Sequence, residues 1–238
     1  MDSIPIHKTA ELFRGEVAQM RYISGEERSS VNAQAHRDDY YIFLLVEKGK
    51  GTALIDFEER EIAGNNIYCI LPGQVHHSGS KVNASGWFLA VDSMLVKSEH
   101  KEIVEKAIIA EYTPKPDEDT INTLRSCAIL VHTRLQSNKQ NSGQPILHDL
   151  LSSYIGMIAE VYQEGLSISA NKRSAIITYE FKILLSANYR SMKQPSLYEA
   201  NMNTSPLHLY VAVKQTTGQC VSNNFHNEIV TQTTRMMS

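Results

Sequence analysis

The chain contains 238 residues, of which 42% are hydrophobic and 21% are charged, and its formal net charge is −3. This length and apolar content are enough for one large or two modest cores. Residues 1–5 do not begin a secretion signal, and no apolar run approaches the length of a membrane span. We therefore expect a cytoplasmic protein that does not enter a membrane.

Five short segments in the first 95 residues are rich in β-branched and aromatic residues and are separated by glycine-containing turns. This pattern predicts an antiparallel β-barrel. The Gly-x-Gly sequence at 47–51 predicts a hairpin, while turns at 64–66 and 71–74 should bracket another strand. The predicted strands cover residues 16–24, 40–48, 51–57, 67–71 and 86–91.

From about residue 92 the apolar period becomes helical, which predicts helices near 93–109, near 119–136 and over 146–162. The third helix has a wide apolar surface. One side could pack on the barrel and the other on a second copy, which makes Leu151 and Ile158 candidate dimer contacts. Full burial inside one domain is the alternative. Residues 164–173 are predicted to be the linker between two domains.

The last quarter of the chain has the pattern of two short helices joined by a tight turn. Ser196 and Glu199 have capping-box spacing for the first helix. Ser205 and Pro206 are suited to the N-cap and first position of the second, which should end at Gly218. A preceding helix offers an apolar stripe for the pair: Ile176, Ile177, Phe181, Leu184, Leu185 and Tyr189.

The two parts of the chain differ in charge. From residue 172 onward there are seven basic and three acidic residues, a net charge of +4, which leaves −7 for the rest. This asymmetry fits a basic DNA-facing module attached to an acidic domain, although ordinary surface variation gives the same pattern.

The C-terminal pattern resembles the DNA-binding domain of the AraC/XylS family of bacterial transcription regulators, and the first part resembles the cupin-type sensor domain found in that family. The resemblance implies an α+β chain, with a cupin-like sensor and dimerisation domain at 1–167 and a helix-turn-helix domain at 168–238. Within the sensor domain, the barrel should cover about 1–95 and the helices about 93–163. The matching C-terminal positions are Phe181, Leu184, Leu185, Tyr189, Ser205, Pro206, Leu209, Val213, Lys214, Thr217 and Gly218.

In this family the second helix of the motif enters the major groove of double-stranded DNA. The resemblance places base-facing positions at Leu207, Tyr210 and Val211, with phosphate contacts from Lys193, His208 and Lys214. None of the base-facing residues is an Arg, Asn or Gln, the types that make bidentate contacts to base edges.

The resemblance also implies a small-molecule effector site at the barrel mouth, for which His36, Tyr40 and His76 are the candidates. Enzymatic cupins hold a metal through a His-x-His pair and a later His. Here the residue two positions after His36 is Asp38 and not a second His. His76 and His77 are adjacent, so they point to opposite faces of a strand. Together with three widely separated cysteines, this predicts no metal, no cofactor and no enzymatic activity.

Regulators of this family carry two helix-turn-helix units, and this chain supplies only the first, with 221–237 in the position of the connecting helix. Two functions follow from the resemblance. The chain is either a dimeric, effector-responsive transcription regulator or a shortened regulator that senses a ligand or sequesters partner proteins.

Overall fold

The fold is described from a computed structural model. The described residues are 5–7, 17–24, 35–56, 58–78, 83–109, 112–137, 144–170, 173–217, 220–226 and 229–230. Within them an antiparallel sheet precedes a series of helices, in agreement with the predicted mixed α and β character.

The long strand β4 organises the sheet by pairing antiparallel with four others, β5, β6, β7 and β8. Strand β2 extends the sheet from β8, while β1 and β3 form a separate parallel pair. The strand pairs within the described residues do not close the sheet into the predicted barrel. The strands are β1 (Ile6–His7), β2 (Ala18–Ile23), β3 (Arg37–Asp38), β4 (Tyr41–Ile55), β5 (Glu58–Ala63), β6 (Asn66–Ile70), β7 (His76–Ser78) and β8 (Asn83–Val91).

The predicted hairpin at 47–51 is wrong, because β4 continues through it to Ile55. Its pairing with β8 shifts between Val46 and Lys48, and Gly49 has a φ of 83°. A Cβ atom at Gly49 would lie 1.8 Å from the carbonyl oxygen of Asn83 on β8. Glycine therefore allows a bulge and a close approach of two backbones here rather than a chain reversal.

The turns predicted around β6 are confirmed. Asn65, with a φ of 57°, precedes the strand, and Gly73, with a φ of 81°, follows it. The backbone N–H of Gly73 donates to the carbonyl of Asp38 at 2.8 Å, so the second turn also fixes the end of β3.

Helices follow the sheet at nearly the predicted positions, with two differences. A 3₁₀ turn at Ser93–Leu95, capped by the Asp92 side chain, stands apart from the first helix. The third helix continues through most of the predicted linker, so residues 164–170 are helical. The helices are α1 (Ser98–Ile109), α2 (Glu118–Ser137), α3 (Gln144–Ala170), α4 (Arg173–Asn188), α5 (Pro195–Asn201) and α6 (Pro206–Thr217).

The main core lies between one face of the sheet and helices α1, α2 and α3. Leu151 and Ile158 are fully buried in this core, where they belong to the same cluster as Phe43 and Leu89. The chain itself covers both side chains. The position of the two residues therefore agrees with the alternative, full burial inside one domain, and not with the predicted dimer contact.

A second, smaller core joins α4, α5, α6 and the helical residues 221–226. Phe181, Tyr198 and Phe225 form its centre through edge-to-face ring contacts. Ile176, which the sequence placed on the apolar stripe of α4, is instead exposed.

Of the two predicted N-caps in this region, one is confirmed and one is wrong. The Ser205 hydroxyl accepts from the backbone N–H of His208 at 3.2 Å, and α6 begins at Pro206. Helix α5 begins at Pro195 behind Gln194, so Ser196 lies within the helix and is not its cap. The predicted stop at Gly218 lies outside the described residues. None of the helices in the described ranges has the length and apolar character needed to cross a membrane.

Candidate functional site

A backbone bridge brings together two histidines that are forty positions apart in the sequence. The N–H of His36 donates to the carbonyl of His76 at 3.1 Å, and the N–H of His76 donates back at 2.9 Å. Residues that exchange two backbone bonds across an antiparallel pair have side chains on the same side. The imidazole rings accordingly lie with their centroids 4.4 Å apart.

Asp38 joins the two histidines, because residues two apart on an extended strand share a face. Its Oδ2 lies 3.2 Å from Nε2 of His76, and its Oδ1 lies 4.0 Å from Nε2 of His36. All three side chains are buried. We call these three residues the His–Asp cluster.

The ring of His76 has a defined orientation. Its Nδ1 lies 3.1 Å from the carbonyl oxygen of Gln74, which can only accept, so Nδ1 carries the proton and donates. The other nitrogen, Nε2, is thereby directed at the Asp38 carboxylate. In the neutral tautomer this nitrogen presents a lone pair to a carboxylate oxygen, so a proton or another cation is needed between them.

Tyr40 links the His–Asp cluster to the apolar face of the sheet. Burial, and after it the negative charge of Asp38, raises the pKa of the Tyr40 hydroxyl far above its usual value. Its ring packs with Ile42, Ile70 and Ala90. Of the three residues predicted for an effector pocket, His36 and His76 thus lie side by side, while Tyr40 packs in the neighbouring apolar cluster.

Asp38 is the member of the site that sequence reasoning did not select. In the sequence His76 is next to His77, whereas in the structure it pairs with His36. The His-x-Asp spacing at 36–38 is visible in the sequence. Which residue lies opposite His36 across the bridge depends on the strand register.

In the C-terminal region the positions predicted to face DNA bases lie on the surface of α6. Leu207, Tyr210 and Val211 are 72%, 42% and 38% exposed, while Leu209 and Val213 on the opposite side are buried. The predicted phosphate contacts Lys193, His208 and Lys214 are also exposed.

Lys214 lies beside the predicted base-facing residue Tyr210. Its ammonium nitrogen is 5.8 Å from the centroid of the Tyr210 ring and 3.5 Å from the hydroxyl oxygen. The exposed side of α6 thus combines one cation with apolar and aromatic groups.

The comparison with protein families gives one match, and it covers the sheet. Residues 17–96 match the family model of the AraC-like ligand binding domain. The matched segment runs from β2 to the end of the 3₁₀ turn and contains the His–Asp cluster and Tyr40. No curated protein sequence matches the chain.

Three solved structures are similar to the chain over most of its length, at low sequence identity. ToxT from Vibrio cholerae in its apo form is 9% identical over 89% of this chain and 97% of that one, with a TM-score of 0.39. The AraC-like transcriptional activator CuxR is 12% identical over 91% and 73%, with a TM-score of 0.35. Unsaturated fatty acid-bound ToxT is 12% identical over 93% and 80%, with a TM-score of 0.39.

Proposed function

We propose that this protein is a cytoplasmic transcription regulator that binds a small-molecule effector in its N-terminal region and double-stranded DNA in its C-terminal region. The match of residues 17–96 to a ligand-binding domain carries the proposal. Within that segment the effector would contact His36, Tyr40 and His76, which combine buried polar groups with an apolar wall. The proposed role is binding and not catalysis.

DNA binding is proposed for the exposed side of α6. Leu207 and Val211 could contact thymine methyl groups, and the Tyr210 hydroxyl could make one hydrogen bond to a base edge. Lys193, His208 and Lys214 would contact phosphates, which position the protein without specifying a sequence. The net positive charge from residue 172 onward supports this orientation.

The test is recovery of sheared genomic DNA by the purified full chain, with sequencing of the DNA that remains after washes at rising salt. We expect a few sites to survive the higher salt, because base contacts add to the salt-sensitive phosphate contacts. Retention that is independent of sequence and disappears with salt would contradict specific DNA binding.

Two variants separate positioning from base reading. Lys193→Ala should weaken binding to all sequences alike, whereas Tyr210→Ala should change which sites are preferred. Lys97→Ala, which removes an exposed cation near the start of α1, is the control for net charge and should leave binding unchanged.

The apolar character of α6 favours a second candidate function. Leu207 is 72% exposed, and none of the three base-facing positions is an Arg, Asn or Gln. Such a surface would suit a protein partner, so the alternative is a regulator impaired in DNA binding that senses a ligand or sequesters partner proteins. Loss of specific DNA recovery together with binding to a related regulator would support it.

We also propose that the chain forms a homodimer through its helical segment. Since Leu151 and Ile158 are buried, the contact would use other residues, and Ile129 and Leu130 are adjacent exposed apolar residues on α2. The double variant Ile129→Glu/Leu130→Glu should sediment as a monomer. Met94→Glu, which charges an exposed apolar position in the 3₁₀ turn, should sediment like the wild type.

A further inference from the structure

We propose that the His–Asp cluster binds one divalent transition-metal ion, with His36, Asp38 and His76 as the protein ligands. Two imidazole nitrogens and one carboxylate oxygen form a donor set that suits Zn²⁺ or Fe²⁺ better than Mg²⁺ or Ca²⁺, which prefer oxygen. The site lies in the segment proposed to bind an effector, but the proposal concerns metal binding by itself and does not depend on DNA binding.

The first support is distance. One candidate ligand atom from each residue can be chosen so that all three lie within 4.8 Å of one another. In tetrahedral coordination, ligands bonded to one ion at about 2.0–2.2 Å lie about 3.3–3.6 Å apart. The separation of 3.2 Å between Oδ2 of Asp38 and Nε2 of His76 is close to this spacing. The separation of 4.0 Å between the other carboxylate oxygen, Oδ1, and Nε2 of His36 is somewhat longer. Small side-chain rotations would complete the set.

The second support is the orientation of the ligands. Histidines that bind metals commonly donate their second ring N–H to a backbone carbonyl, which directs the free nitrogen at the ion. His76 makes such a bond to Gln74 and directs Nε2 at Asp38.

The third support is the backbone that carries the ligands. Reciprocal hydrogen bonds between His36 and His76 join the two segments, and the bond from Gly73 to Asp38 fixes the third ligand. Arg37, between His36 and Asp38, falls on the other side of the strand by alternation. The ligands are therefore held on one side of two backbone segments before any ion binds, which lowers the conformational cost of binding.

The competing explanation is an ion pair in which His76 is protonated and Asp38 is charged. It accounts for the 3.2 Å contact equally well but predicts no metal binding. The experiment must therefore measure binding of an ion and not only the importance of the three residues for stability.

The first measurement uses the full wild-type chain after removal of metals with a chelator. Titration with Zn²⁺ by calorimetry should show one saturable site, and titration with Co²⁺ should produce visible d–d absorption whose intensity saturates at one equivalent. Zn²⁺ should also raise the melting temperature, because it binds the folded state. Absence of a saturable site for both ions would overturn the proposal without any variant.

The second measurement assigns the ligands. His36→Gln, Asp38→Asn and His76→Gln should each weaken Zn²⁺ binding at least tenfold, while His77→Gln is the matched control and should bind like the wild type. Circular dichroism checks that each variant is folded.

Equal binding by the wild type and all three ligand variants would place the ion elsewhere and overturn the assignment, as would an equal loss in His77→Gln. Because these titrations contain no DNA, a negative result would leave the proposed regulator function untouched. Conversely, loss of specific DNA recovery would not affect the metal site.

Discussion

The two cores of this protein are built in different ways. In the N-terminal region the sheet and three helices share one large cluster, which includes Phe43 and Leu89 of the sheet and Leu151 and Ile158 of α3. In the C-terminal region, neighbouring helices enclose a small aromatic cluster around Phe181. The first depends on contacts between distant parts of the sequence and the second on contacts within about fifty residues. Damage to the smaller core should therefore unfold a whole region, whereas the larger core has more contacts to compensate.

The largest expected effect is that of Phe181→Ala. Phe181 is fully buried against Tyr198, and removal of its ring should cost about 3–5 kcal/mol through lost burial and a cavity. Hydrogen exchange should show loss of protection in α4, α5 and α6 with the sheet still protected. Ile176→Ala, at an exposed position on the same helix, is the control. Simultaneous loss of protection in the sheet would mean that the two cores unfold as one.

A smaller effect is expected for the cap of α6. Ser205→Ala removes the hydroxyl that accepts from His208 and should lower the free energy of unfolding by about 0.5–2 kcal/mol. Ser196→Ala should have almost no effect, because Gln194 and not Ser196 precedes α5. Denaturant titration of both variants measures the difference. Equal destabilisation by the two variants would instead support the capping box that the sequence predicts at Ser196 and Glu199.

Two tyrosines on α3 allow a matched test of polar groups in the larger core. The Tyr162 hydroxyl donates to the carbonyl of Ile67 at 3.3 Å, so Tyr162→Phe should cost about 0.5–1.5 kcal/mol. Tyr154 is equally buried, but its hydroxyl has no hydrogen-bond partner among the described residues. Tyr154→Phe should therefore be neutral or slightly stabilising by thermal unfolding. The reverse order would show that Tyr154 is the better bonded of the two.

The smallest effect concerns His100, which lines a groove between α1 and α3 together with Gly156. Burial lowers its pKa below the usual value of 6.5, despite the opposing charge of Glu99. The His100 imidazole therefore binds a proton more readily in the unfolded chain than in the folded one. Its contribution to the free energy of unfolding is present above about pH 6.5 and is lost as the pH falls below that value.

Melting temperatures measured from pH 7.5 to pH 5.5 test this contribution. The wild type should lose more stability on acidification than His100→Gln, whose side chain does not titrate. His226→Gln, at an exposed position in the C-terminal region, should behave like the wild type. Identical pH profiles for the wild type and His100→Gln would show that His100 does not contribute to the loss of stability on acidification.

Prediction from the sequence was most accurate where a feature depends on a few neighbouring residues. The Ser205 cap, the turns around β6 and the exposed side of α6 all follow from local spacing, and the structure places them as expected. Two of the three residues predicted for an effector pocket, His36 and His76, lie side by side, and their role in effector binding stays a prediction. Asp38 was not predicted because its closeness to His76 depends on which strands pair and not on spacing along the chain.

The sequence by itself therefore determined that a strand-rich region precedes a helical one, since the apolar period depends on three or four residues at a time. Only the tertiary structure decided that β4 passes through Gly49, that Leu151 and Ile158 are covered by the same chain, and that His36 faces His76. Each of these depends on which distant segments pair and in which register. Register is set by the packing of a whole face and the close approach of backbones, not by the residues of one segment.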